Sequence, residues 1–223
     1  MTVRPAVTPQ LAGTRVMAIL RSAEASGLPA VARALVAGGI TCLEITLTTE
    51  GALDAIARVR DELGPEVAVG AGTVVTAAQA RDARAAGAEF LVAPVVDTEV
   101  VRGAADAGVP CYPGAWTPTE VSAAWQAGAA AVKLFPAGTG GPAYVRHLRA
   151  PLPEIPLVAV GGVDLDRIRD YLDAGAYGVG LGSPLLRGAD LNPDPAALRS
   201  VTERASSVLA AVGAPAGAGE DGR

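Results

Sequence analysis

The chain has 223 residues, 50% of them hydrophobic and 18% charged, with a formal net charge of −5. That length can bury one full-sized core and fits a single α/β domain, and the apolar fraction excludes disorder as a global description. The mild acidity argues against the basic face that nucleic acid requires, and no apolar run approaches the roughly 18 residues of a membrane span. The N-terminal run MTVRPAVTPQLAGTRV has no apolar h-region, and Cys42 and Cys111 make no disulfide framework. Both features suit a reducing cytoplasm.

Short apolar, β-branched runs recur at RVMAIL (15–20), TCLEITL (41–47), VAVGAG (67–72), EFLVAP (89–94), PCYP (110–113), AVKLF (131–135), PLVAV (156–160) and GVGLG (178–182). Their starts lie 21 to 26 residues apart, room for a strand, a crossover helix and two short loops. Helix periodicity fills the intervals. Leu28, Val31, Ala32, Leu35 and Val36 make one apolar stripe, and Leu53, Ile56, Ala57 and Leu63 another. Thr76 with Gln79 and Thr117 with Glu120 are capping boxes, the second with Pro118 at the first helical position. Asp164 is placed to cap a helix starting near Leu165. Gly38, Gly87, Gly108, Gly128 and Gly175 each follow an alanine where a helix should stop.

Eight strands alternating with helices predict an α/β fold, a single-domain (β/α)₈ TIM barrel over residues 1–212. An open doubly wound sheet is the alternative. Its dinucleotide fingerprint is missing, because Gly70-Ala71-Gly72 is followed by Val75 where a third glycine belongs. Residues 213–223, GAPAGAGEDGR, lack any apolar period and are expected to form a disordered tail.

In a barrel, strand residues alternate between the interior and the helix layer, and chemistry sits at the C-terminal strand ends. Arg21 ends the first strand in phase with Met17 and Ile19. In TCLEITL, outward Leu43, Ile45 and Leu47 send Cys42, Glu44 and Thr46 inward. In AVKLF, the same alternation points Ala131, Lys133 and Phe135 inward. Of 18 cationic residues, Lys133 alone is a lysine. An ammonium among Ala, Val, Leu and Phe is costly to desolvate, and a neutral amine can form a Schiff base where a guanidinium cannot. The plainer alternative is a lysine that snorkels to the barrel rim. Glu44 is then either an acid–base group beside Lys133 or the ion-pair partner of Lys133 or Arg21.

Other candidates read more simply. Cys42 and Cys111 are core packing, and the lone His147 falls on a surface helix. One histidine cannot build the metal site of a metal-dependent phosphosugar epimerase. Val160-Gly161-Gly162 and Gly180-Leu181-Gly182-Ser183 end the seventh and eighth strands. Loops in those two places often bind phosphate, because bare backbone N–H groups can approach an anion closely.

Taken in order, GGITCLEITL, VGAGTV, CYPGAWTPTE, AVKLFPA and AVGGV closely resemble the 2-keto-3-deoxy-6-phosphogluconate (KDPG) / 4-hydroxy-2-oxoglutarate aldolase family over roughly residues 14–190. The resemblance implies a class I, Schiff-base carbon–carbon lyase on a (β/α)₈ barrel. It further implies a homotrimer that needs no metal or other cofactor and acts on a small, phosphorylated 2-keto acid. Neither nucleic acid nor a membrane is an expected partner. By resemblance, Lys133 is the imine-forming lysine and Glu44 the acid–base. Thr73, Pro94 and Phe135 fall along the pyruvyl part of the site, and Gly161, Gly162, Gly182 and Ser183 form its phosphate end.

Two positions depart from the family pattern. Many members carry an arginine where Thr48 stands, and it holds the substrate carboxylate. Arg21, which matches the arginine ending strand one in other members, would have to take that role. Val160 replaces the threonine of many gluconate-type members and resembles the 6-phosphogalactonate (KDPGal) branch. From other classes, a transferase resembling thiamine-phosphate synthase would keep the phosphate loops but needs acidic Mg²⁺ ligands. A non-catalytic phosphate-binding barrel is the remaining alternative.

Overall fold

The apolar runs become parallel strands in a computed structural model that describes residues 4–191 and 193–213. They are β1 (Val16–Leu20), β2 (Cys42–Thr46), β3 (Ala68–Gly72), β4 (Leu91–Val92), β5 (Cys111–Tyr112), β6 (Gly114–Ala115), β7 (Val132–Leu134), β8 (Leu157–Val160) and β9 (Gly178–Leu181). Pairing runs in the order β5-β4-β3-β2-β1-β9-β8-β7-β6. The fifth predicted run is thus split in two at Pro113, which has no N–H to give to a ladder. Its carbonyl still accepts the Lys133 N–H at 2.9 Å. This one stretch pairs with β4 on one side and β7 on the other. The sheet therefore closes into the expected barrel.

The two sides of the strands separate as the alternation requires. Leu43, Ile45, Val132 and Leu134 join the core under the helices, whereas Met17, Cys42, Ala131, Val158 and Val160 form an interior cluster with Phe90 and Tyr112. Gly70 of β3 and Gly180 of β9, both inward, admit bulk from the neighbouring strand. A Cβ at Gly70 would lie 2.4 Å from the Phe90 ring, and one at Gly180 would lie 2.7 Å from Val160. No side chain fits at either place.

Both capping boxes form, with Thr76 Oγ1 accepting the Gln79 N–H at 3.2 Å and Thr117 Oγ1 the Glu120 N–H at 3.3 Å. Asp164 differs from expectation. It precedes a 3₁₀ turn, Leu165–Arg167, and its side chain makes no capping bond. Its carbonyl takes the Arg167 N–H instead, at 3.1 Å.

The sequence reading places no element ahead of β1, yet the helix Pro9–Thr14 plugs the barrel beneath the strand starts. Leu11 is fully buried in the interior cluster. Tyr112 Oη accepts the Thr8 N–H at 3.0 Å and donates to Thr8 Oγ1 at 3.2 Å. Six residues are too few for periodicity to reveal such a helix. The expected tail at 213–223 lies, from residue 214 onward, outside the described residues. Among those residues no helix is long and apolar enough to cross a membrane.

Candidate active site

Lys133 sits mid-strand in β7 and is only 6% exposed. Its Nζ lies 5.0 Å from the Phe135 ring centroid, within cation–π range. Glu44, at the centre of β2, is completely buried, and neither carboxyl oxygen has a hydrogen-bond partner. The carboxyl fills the space left by Gly72, where a Cβ would stand 1.9 Å from Oε1 and 2.5 Å from Cδ. Burial pushes Glu44 above the ordinary carboxylate range, opposed by the charge of Lys133 and then by that of Arg21. A carboxyl held nearer neutrality, in the field of two cations, can both take and return a proton. Gly72→Ala must displace it, so kcat is expected to fall about 10²-fold, as for small misplacements of catalytic groups. Steady-state kinetics on a variant with an unchanged circular dichroism spectrum checks this.

A cavity of about 480 Å³ opens at the C-terminal strand ends, a usual size for a small-molecule site. Lys133, Arg21, Thr73, Pro94, Phe135, Gly161, Gly162, Gly182 and Ser183 all line it. Glu44 lies buried outside that lining. The barrel thus brings every expected substrate-side residue to one hollow. Arg21 Nη2 donates to Thr73 Oγ1 at 3.4 Å. Thr73 has φ 60°, a conformation rare for a β-branched residue. Ladder bonds on both sides impose it, from Leu47 N–H to Gly72 O at 2.8 Å and from Val74 N–H to Val92 O at 3.0 Å. Across the hollow, Gly161 and Gly162 have φ 82° and 72°, which glycine alone adopts without strain. A Cβ on Gly161 would also meet the Phe135 ring at 2.7 Å.

The structure adds residues that the sequence alone does not single out, although Val163 closes the AVGGV motif. Asp190, Val163 and Pro184 line the same cavity. Asp190 follows the short helix Ser183–Leu186, and burial pushes its carboxyl upward. Only the path of that loop brings it there. Val160 lines the wall as well, beside Ile19 and Gly180. Thr48 does not; it is exposed, and its hydroxyl donates to Thr46 Oγ1 at 3.2 Å. Both cysteines are buried, the Cys42 thiol pushed strongly up and that of Cys111 pushed up to about 12, each mainly by burial. His147 is exposed. Among the described residues, no group of three or more His, Cys, Asp or Glu is placed to hold a metal ion.

The family model for KDPG and KHG aldolases, where KHG is 4-hydroxy-2-oxoglutarate, matches residues 7–198. The chain belongs to this aldolase family. The aldolase is 43% identical over 150 residues to the 2-dehydro-3-deoxy-phosphogluconate aldolase of Pseudomonas aeruginosa, covering 67% of each chain. It is 37% identical over 172 residues to the 2-dehydro-3-deoxy-6-phosphogalactonate aldolase of Escherichia coli, covering 77% of this chain and 84% of that one. Among solved structures, it aligns with a KDPG aldolase from Legionella pneumophila carrying pyruvate as a covalent carbinolamine intermediate. That match has a TM-score of 0.82 at 28% identity and covers 91% of this aldolase and 98% of the other chain. The aldolase is accordingly a carbon–carbon lyase.

Proposed function

We propose that this aldolase cleaves KDPG to pyruvate and glyceraldehyde 3-phosphate, and 4-hydroxy-2-oxoglutarate to pyruvate and glyoxylate, through a Schiff base on Lys133. The observation that carries this reading is the amine of a nearly buried lysine on the wall of a cavity that also holds Arg21 and two glycine loops. Lys133 Nζ attacks the C2 ketone, and Glu44 shuttles the protons through carbinolamine formation and loss of water. The iminium draws electrons from the C3–C4 bond as the C4 hydroxyl proton passes through a water to Glu44. The aldehyde leaves, the enamine is protonated at C3, and hydrolysis frees pyruvate and Lys133. The relative that carries pyruvate as a carbinolamine supports the first step by analogy. A homotrimer in the cytoplasm belongs to the same proposal.

Borohydride tests it directly. With pyruvate present it should leave a single reduced adduct, on Lys133, because no other lysine exists in the chain. An adduct confined to the N-terminal amine overturns the reading. The 37% identity to a 2-dehydro-3-deoxy-6-phosphogalactonate aldolase supports testing a second substrate, the galactonate epimer of KDPG. Steady-state comparison of the two epimers decides between them.

Arg21 and Ser183 are expected to separate the two ends of the substrate. If Arg21 holds the carboxylate, the bond forms in ground and transition states alike, and Arg21→Ala raises KM for every 2-keto acid. The loss amounts to about 1.5–3 kcal/mol, or roughly 10–150-fold in kcat/KM. Ser183→Ala should penalise phosphorylated substrates and spare 4-hydroxy-2-oxoglutarate. An Arg21→Ala defect restricted to phosphorylated substrates reassigns Arg21 to the phosphate end.

A further inference from the structure

Thr46, Thr48 and Thr49 form a hydroxyl cluster at the C-terminal end of β2. Thr48 Oγ1 donates to Thr46 Oγ1 at 3.2 Å, and Thr46 Oγ1 lies 3.4 Å from Thr49 Oγ1. Thr46 and Thr49 are buried, at 0% and 3% exposure. Thr49 Oγ1 in turn accepts the backbone N–H of Ser22 at 3.2 Å. Two more bonds join the same pair of loops: Glu50 N–H to Ala23 O and Ala25 N–H to Glu50 O, each 3.0 Å. The segment that leaves β1 is therefore stitched to the segment that leaves β2. Arg21 is the residue immediately before the stitched stretch, and Thr46 lies two residues beyond Glu44 on the same inward face.

We propose that Thr49, supported by Thr46 and Thr48, is a positioning residue that holds the Arg21 loop in register with the Glu44 strand. It acts through the Ser22 N–H and touches no substrate. The proposal rests on the reading of Arg21 as the carboxylate anchor. An exposed guanidinium on a free loop end would sample many directions, and immobilising a long side chain costs entropy each time substrate binds. A fixed Ser22 amide removes part of that cost by setting where the Arg21 backbone ends, as preorganisation does in general. Thr73 Oγ1 catches the other end of the side chain at 3.4 Å.

Thr49→Val keeps the shape and removes the acceptor. It is expected to raise KM for both phosphorylated and unphosphorylated 2-keto acids by roughly 3–10-fold, a fraction of what deleting a charge-assisted bond costs. The kcat should stay within about two-fold, because the lost interaction is common to ground and transition states. Thr49→Ser should restore the wild-type KM. In an Arg21→Ala background, Thr49→Val should add nothing further, since its effect passes through Arg21. The exposed Thr48→Val, which cannot empty the core, should show the same KM pattern at smaller size. An unchanged KM in both valine variants, or an increase that persists in full without Arg21, overturns the proposal. Wild-type borohydride trapping with pyruvate separates the two levels. If no imine forms, the aldolase mechanism itself fails; if an imine forms and KM ignores Thr49, only the positioning role fails.

Discussion

Lys133→Arg is expected to keep a positive charge inside the barrel and to lose cleavage entirely. A guanidinium cannot form an iminium, so no electron sink exists for the C3–C4 bond. Removing the nucleophile of a unit that acts together typically costs on the order of 10⁶-fold, which leaves only background. The interior should tolerate the change better than a switch to an apolar residue, because Phe135 still offers its ring face to a cation. Pyruvate release in a coupled assay measures the loss, and borohydride should then leave the variant unlabelled. A Lys133→Arg enzyme that still turns over would sink the Schiff-base mechanism, whatever its fold.

Glu44→Gln should lower kcat by about 10²–10⁴-fold, the usual worth of a positioned general base. Imine trapping should survive, more slowly. The same variant has a consequence for stability, with a definite sign. Burial raises the native proton affinity of Glu44 above that of the unfolded chain. Its favourable contribution is therefore complete below the ordinary carboxylate range and is lost as pH rises through the native value. At neutral pH the wild type carries a buried, unpartnered carboxyl. Glu44→Gln should consequently melt higher than wild type at neutral pH and show a flatter slope between acid and neutral conditions. If Glu44 were only an ion-pair partner, the outcome would reverse: Glu44→Gln would strand the charge of Lys133, melt lower and keep near-normal turnover. Thermal melts across that range, beside the kinetics, distinguish the two.

Much of this site is local chemistry and could be read residue by residue. Alternation with period two sends Lys133 inward once Val132 and Leu134 are given to the helix layer, and it sends Glu44 inward by the same logic. The capping boxes at Thr76 and Thr117 need partners only three residues away. Glycines ending the seventh and eighth predicted strands mark loops whose bare backbone can line a cavity, because a missing side chain is visible in any sequence. Motif order then placed Arg21, Thr73, Pro94, Phe135 and Ser183 around one cavity, where the structure has them.

Other features depend on which atoms meet across the barrel, and no window of sequence contains both partners. Glu44 pairs with Gly70 and Thr46 with Gly72, and that register is what puts the Glu44 carboxyl into the space above Gly72. A slip of one residue would turn every side chain of β2 to the opposite face. The helix Pro9–Thr14 stoppers the far end, and the Thr8 that precedes it bonds a residue more than a hundred positions away. Asp190 reaches the cavity by the course of a loop, and the threonine hydroxyls join two loops separated by more than twenty residues. The sequence by itself determined the barrel and the inward placement of Lys133 and Glu44, because propensity, alternation and capping act within a few residues. The tertiary structure alone decided the fit of Glu44 against Gly72 and the hydroxyl link between the loops after β1 and β2, because both arise from strand register and loop contact between distant segments.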